Sequence, residues 1–300
     1  MKKLVLVLWL ALVGTSVAEV QPLSEFWYQT SGEYRALCLQ TYNLAAHKLE
    51  VLRTFISRGA EGEAKIPGSP KPLAIIMDLD ETVIDNSGYQ VYLIKEKTSF
   101  NQDDWDGWLK YQSINKGAQK AVPGSVEFIR VAEGLGITPI FISNRTHESF
   151  EETAKVLKGL DINIENIEER LILRRKDGKA RAQKLVKEMG LDPASSKALS
   201  IVEGEGEKEE RRRQVYDKYH VIAFFGDVLG DFEGITFVDE DNKPQERVQM
   251  ALRNKHRWGT DWFILPNPLY GSWGPPHSLK AERMVDEMSD FGFGDWLKKK

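Results

Sequence analysis

The chain reads as an α/β protein: a parallel sheet with helices packed around it. Three observations predict this. Short apolar runs recur after residue 72, at Leu73–Met77, Ile137–Ser143, Leu171–Leu173, Val221–Phe225 and Ile235–Val238. Segments with helical spacing separate several of these runs, and strands alternating with helices imply βαβ units. Finally, the polar patterns capable of chemistry each fall just after such a run, at the sheet edge where ligands bind in open α/β folds.

Residues 1–18 are a separate object. Lys2 and Lys3 precede the apolar run Leu4–Val13, and Ser16-Val-Ala18 supplies small residues before Glu19. This is the pattern of a secretory signal peptide, too short for a convincing membrane span. No cysteine stands at the cleavage point, so no lipid attachment is expected there, and a secreted or periplasmic location is implied. Removing the leader takes two lysines and moves the net charge from −4 to −6. Cys38 is the sole cysteine, so no intramolecular disulfide forms.

Residues 19–72 read as an N-terminal helical segment and a linker. Over 24–57, Leu37, Tyr42, Ala45, Leu49, Leu52 and Ile56 recur near helical spacing, with Ser24 as a candidate cap. Gly59–Pro72 is rich in Gly, Pro and charge, as a linker is. Residues 73–300 form the α/β core. Helices are expected over Thr146–Lys158, Lys179–Met189 and Ser278–Met288. Glu203–Arg213 is charge-dense and reads as a solvated helix face. Residues 89–122 fit the alternation poorly and carry Tyr89, Tyr92, Phe100, Trp105, Trp108 and Tyr111. They read as an insertion over the site, although any one aromatic is more often core; they also suit a homodimer contact. The mildly negative charge gives no basis for a nucleic-acid polymer as partner.

Four patterns carry the chemistry, in this order: Asp78-Leu-Asp80-Glu-Thr82, Ile142-Ser143-Asn144-Arg145, Arg174-Arg175-Lys176-Asp177-Gly178-Lys179, and Gly226-Asp227-Val-Leu-Gly-Asp231. Residues two apart on an extended segment point to one side, so Asp78 and Asp80 share a site. A carboxylate nucleophile splits ester hydrolysis into two easier steps, and Asp78 is placed for that. Asp80 can protonate the leaving alkoxide and then take a proton from water. Ser143 can donate to phosphate oxygens, with Asn144 and Arg145 beside it as substrate-binding candidates. Lys176 is the first candidate for the compact positive charge, with Lys179 close behind. Asp227 and Asp231 add oxygen ligands, and hard oxygens without His or Cys favour Mg²⁺ over zinc.

These motifs in this order resemble the haloacid dehalogenase-like superfamily. Within it the chain is similar to the class C (bacterial non-specific) acid phosphatases, related to secreted 5′-nucleotidases. Asp85-Asn86-Ser87, Ala121-Val-Pro-Gly124 and Pro266-Asn267 with Tyr270-Gly271 and Trp273 support the narrower likeness. The resemblance implies a Rossmann-like sheet with helices on both faces and a small helical, aromatic cap from the chain ends and the 89–122 insertion. It implies that Asp78 is the nucleophile and Asp80 the acid/base. Asp78, the Asp80 carbonyl and Asp227 would hold Mg²⁺, with Asp231 in support. Tyr92 and Tyr270 would cover the leaving group of a small phosphomonoester.

Other classes fit less well. The two-metal phosphoesterases need histidine ligands, and the five histidines form no D-x-H or N-H-[DE] pattern. No R-H-G marks a histidine nucleophile. Dehalogenases do not need the acid at 80. A catalytically silent surface or storage protein on the same scaffold is the alternative from another class, and Asp78 with Asp80 argues against it.

Overall fold

The computed structural model describes residues 22–59, 62–175, 186, 187, 190, 192, 208–235, 244–271 and 273. The expected leader, Lys176, Lys179, the expected strand beyond Ile235 and the expected helix over Ser278–Met288 lie outside them. Of the helix expected over Lys179–Met189, residues 186 and 187 are described, and both are helical.

The N-terminal segment is two helices, α1 (Pro22–Thr30) and α2 (Gly32–Leu52). The break is at Ser31, whose hydroxyl accepts from the Tyr34 N–H at 3.1 Å and caps α2. Ser24 lies inside α1 instead of capping a helix. The buried stripe of α2 is Tyr34, Cys38, Tyr42, Ala45 and Leu49. Helical spacing turns Leu37 inward, yet it is 44% exposed, because Cys38 takes the inward position one residue on. The expected linker carries a small antiparallel pair, β1 (Ser57–Arg58) and β2 (Ala64–Lys65). The Ala64 N–H donates to the Gly136 carbonyl at 2.7 Å, which pins this segment to the core.

The core continues with β3 (Leu73–Met77), α3 (Ser87–Glu96), α4 (Gln102–Ile114), α5 (Ser125–Gly134), β4 (Thr138–Thr146), α6 (Phe150–Gly159), α7 (Ile167–Arg170) and β5 (Leu171–Arg174). After the undescribed stretch come α8 (Lys208–Lys218), β6 (His220–Gly226), α9 (Pro244–Arg253) and β7 (Trp262–Ile264). Sequence patterning missed β7 because three residues are too few to show a period. The main sheet has the order β5-β4-β3-β6-β7, and every pairing is parallel.

Both faces of β3 are buried, as its unbroken apolar run requires. Ile75 and Met77 pack with Tyr42, Phe128, Leu157 and Phe225 beneath α2, α5 and α6. Ala74 and Ile76 pack with Val215, Phe224, Phe232 and Trp262 on the other face. Each large side chain so buried contributes about 1.5–3 kcal/mol, which makes β3 a rigid base for the turn at its carboxyl end. The chain leaves β3 to one side for β4 and β5, then returns to its other side for β6. That reversal opens a crevice beyond the carboxyl ends of β3, β4 and β6. Among the described residues, no helix is long and apolar enough to cross a membrane.

Candidate active site

Asp78 comes directly after β3, and its N–H donates to the Phe225 carbonyl at 2.9 Å, so the sheet holds it at the edge. The chain then turns tightly. The Leu79 carbonyl accepts from the N–H groups of Val83 and Ile84, both at 2.8 Å. Glu81 adopts a left-handed backbone, φ +57°, which is uncommon for a residue with a β-carbon. Its carboxylate accepts from the Asn86 N–H at 2.7 Å, which ties the turn to the start of α3. From beneath, the Tyr42 hydroxyl of α2 donates to the Thr82 carbonyl at 2.6 Å and the Ser125 hydroxyl of α5 to the Val83 carbonyl at 3.3 Å.

The end of β6 brings two more acids to Asp78. Carboxylate oxygens of Asp78, Asp227 and Asp231 lie within 4.8 Å of one another, and all three residues are buried. Gly226 permits this: a β-carbon there would meet the Asp231 β-carbon at 2.2 Å. Asp231 Oδ2 accepts from the N–H groups of Asp227 and Val228, both at 3.1 Å. Asn267 Nδ2 donates to Asp227 Oδ2 at 2.7 Å, and the Thr82 hydroxyl to Asp227 Oδ1 at 3.4 Å.

The cation among these acids is Lys208, from α8. Its Nζ donates to Asp78 Oδ1 and, at 2.6 Å, to Asp231 Oδ1. Burial works to lower the Lys208 pKa, but Asp231 and Asp78 outweigh it and hold the ammonium above its usual value. Burial pushes the Asp78 carboxyl up to about 7; Lys208 draws it down, while Asp231 and Asp80 raise it. Asp227 is raised well above the carboxylate range by burial, then by the charges of Asp231 and Asp78. Among the described residues three buried acids face one ammonium, which leaves this group of side chains short of positive charge. An all-oxygen donor set with that deficit fits a hard divalent cation.

Asp80 is held by a separate set of partners. Its Oδ1 accepts from Arg145 Nε (2.9 Å), Arg145 Nη2 (2.8 Å) and Asn86 Nδ2 (2.8 Å). The Ser143 hydroxyl donates to Oδ2 at 3.3 Å, and the same Ser143 oxygen accepts from the Arg145 N–H at 3.1 Å. Above it lies the insertion. The rings of Trp105, Phe100 and Tyr92 gather around Tyr89, at centroid distances of 5.1, 6.3 and 6.0 Å. The Arg145 guanidinium lies 5.9 Å from the centre of the Trp105 ring.

Asp78, Asp80, Ser143, Asp227 and Asp231 thus meet at the carboxyl edge, the four acids after their strands and Ser143 near the end of β4. Arg145 is fully enclosed and devoted to Asp80, Thr153 and Asn86. Asn144 is exposed, with Oδ1 accepting from Arg211 Nη2 at 2.6 Å. Tyr92 is half-exposed in the aromatic group and donates to Asp104 at 3.3 Å. Tyr270 is half-buried just after Asn267, so it stands near Asp227.

The expectation of a solvated helix face over Glu203–Arg213 is corrected for α8: Lys208, Arg211 and Arg212 are buried. Arg212 donates to the Gly230 carbonyl at 3.2 Å and pairs with Glu209, locking α8 to the loop of Asp231. Arg211 Nη1 donates to the Ser143 carbonyl. Lys208, Arg211, Arg212 and Val215 are spaced i, i+3, i+4, i+7, the inward stripe of a helix. The signal was in the sequence, written in cations where apolar residues are looked for. Sequence reasoning did not single out Lys208, and it quoted Asn86 and Asn267 only as part of the family likeness, with no role in the site.

Comparison with known proteins agrees with this geometry. The chain is 28% identical to a class C acid phosphatase from Bacillus anthracis, with a TM-score of 0.65 over 90% of this chain and 97% of that one. A tungstate-bound class C acid phosphatase from the same organism gives 27% identity and a TM-score of 0.63, covering 89% of this chain and 93% of that one. A stem 28 kDa glycoprotein of Glycine max is 25% identical over 195 residues, 65% of this chain; the chain spans 58% of that relative's length. The family model for HAD superfamily subfamily IIIB, described as acid phosphatase, matches residues 15–273. The chain belongs to that subfamily, a family of phosphomonoesterases.

Proposed function

We propose that the chain is a Mg²⁺-dependent acid phosphatase that hydrolyses small phosphomonoesters through an aspartyl phosphate on Asp78. The observation that carries this reading is the buried cluster in which Lys208 joins Asp78 to Asp231, with Asp227 alongside. In the first step an Asp78 carboxylate oxygen bonds to phosphorus as the ester P–O bond breaks. Asp80 gives its proton to the departing alkoxide. In the second step Asp80 takes a proton from water, the water oxygen bonds to phosphorus, and the acyl-phosphate bond breaks. Inorganic phosphate leaves and Asp78 returns. Lys208 and Ser143 neutralise and orient the phosphate oxygens. Asp78 and Asp227, with the Asp80 carbonyl and support from Asp231, would hold Mg²⁺, which supplies charge neutralisation between two anions that otherwise repel.

Nucleoside monophosphates are the favoured substrates. The aromatic group near Asp80 offers ring faces on which bases stack without sequence preference, and Tyr270 is a further candidate for such a contact. The leader pattern of residues 1–18 supports a secreted or periplasmic location. The test is a panel of phosphomonoesters assayed with Mg²⁺ and with EDTA. Phosphate release that EDTA abolishes and Asp78→Asn removes is the expected result. A folded protein inert to the whole panel favours the silent-scaffold alternative. Full activity in Asp78→Asn refutes the nucleophile.

A further inference from the structure

We propose that Asn86 is a positioning residue that fixes the acid/base carboxylate and links it to the aromatic layer, through the chain Trp108–Asn86–Asp80. The proposal rests on the reading of Asp80 as the proton donor.

Asn86 is fully buried, yet every polar atom of its side chain is engaged. Its Oδ1 accepts from Trp108 Nε1 at 3.1 Å and from Arg145 Nη2 at 3.3 Å. Both of those groups only donate, so the carbonyl end of the amide must face them. The NH₂ end is thereby turned to Asp80, where Nδ2 donates to Oδ1 at 2.8 Å, with a longer contact of 3.4 Å to the Ile84 carbonyl. The backbone of Asn86 is set independently by the Glu81 carboxylate. Trp108 is set by close packing over Gly88, where a β-carbon would meet the indole at 2.7 Å.

The two oxygens of Asp80 are used differently. Oδ1 receives three donor contacts, two from Arg145 and one from Asn86, and is committed. Among the described residues Oδ2 receives only the Ser143 hydroxyl, at the longer distance of 3.3 Å. The network therefore selects Oδ2 as the oxygen that hands a proton to the leaving group, and Asn86 keeps the carboxylate plane from rotating. A leaving group resting on the indole of Trp108 bears on the same amide, so contact with the aromatic layer and proton delivery share one mechanical link.

The test uses the full chain with Mg²⁺ and two esters. One is 4-nitrophenyl phosphate, whose leaving group departs with little need of a proton; the other is glycerol 2-phosphate, whose alkoxide needs one. The quantity is kcat/KM, which reports events up to formation of the aspartyl phosphate. Asn86→Ala should lower it on the alkyl ester about 10- to 100-fold, part of what a positioned acid contributes, and on the aryl ester less than about 3-fold. Trp108→Phe, which removes the indole N–H but keeps a ring over Gly88, should show the same bias with a smaller loss. It decides the matter if Asn86→Ala does not fold. Equal losses on both esters overturn the link, because a merely structural defect does not distinguish leaving groups. Asp80→Asn separates the acid assignment from the link. If it too shows no bias, the acid assignment falls and the link with it. If it shows the bias and the Asn86 and Trp108 variants do not, the link alone is wrong.

Discussion

Replacing Lys208 by Met removes the ammonium that bridges two buried acids. Lys208 touches both Asp78 and Asp231, and all three side chains are nearly enclosed. Breaking a buried ion pair by deleting one partner costs about 3–5 kcal/mol when the remaining charge stays ionised. Here the remaining charge has an escape. Asp78 titrates near 7 even with Lys208 present, and without it burial and Asp231 carry the carboxyl higher still. The folded variant then binds more protons than its unfolded chain, whose carboxyls titrate in the ordinary range, so its stability falls as pH rises. Each pH unit over which protonation differs changes stability by about 1.4 kcal/mol. Up to about pH 7 the unsubstituted protein also keeps this proton on Asp78, so the two lose stability in parallel; above pH 7 the deficit should grow by about 1.4 kcal/mol per unit, toward the roughly 3–5 kcal/mol of a broken buried pair. Urea unfolding in EDTA at pH 5, 6, 7 and 8 measures it. A deficit that does not change with pH, or one below about 0.5 kcal/mol at pH 8, refutes the pairing of Lys208 with these acids. With Mg²⁺ restored, the same variant should lose about 10²- to 10³-fold in kcat.

Three further outcomes are expected. Glu25 in α1 is buried with no hydrogen-bond partner for either oxygen among the described residues, and burial, then Asp85, pushes its carboxyl up to about 8 from 4.5. Its stabilising effect is complete below pH 4.5 and is lost as pH rises to 8, so Glu25→Gln should match the parent at pH 4.5 and exceed it by on the order of 3 kcal/mol at pH 8; equal melting curves at pH 8 contradict this. Tyr42→Phe leaves the Thr82 carbonyl without its buried donor and should cost about 1–2 kcal/mol, read as a fall in Tm of roughly 2–8 °C, and an unchanged Tm would show that the turn does not lean on α2. Gly226→Ala forces the new β-carbon against Asp231 and should lower kcat/KM about 100-fold, the scale of an ångström's misplacement, whereas activity within about threefold of the parent means the loop moves freely.

Local sequence was enough to find four of the five strands of the main sheet, and the acids. An unbroken apolar strand is legible because burial on both faces writes the same residue type at every position, and Leu73–Met77 does so. Asp78, Asp80, Ser143, Asp227 and Asp231 were legible for a related reason: the four acids follow such strands and Ser143 stands near the end of one, and a parallel sheet delivers all its carboxyl ends to one edge. Which groups those acids pair with emerged only on folding. Lys208 lies 130 residues from Asp78 and Arg145 lies 65 from Asp80, separations that no local period encodes. Lys208 stands in a charged helix whose inward stripe is cationic, so hydropathy patterning turns it outward. The same is true of Asn86, whose part in the site comes from the Trp108, Arg145 and Asp80 groups around it and not from its neighbours in the chain.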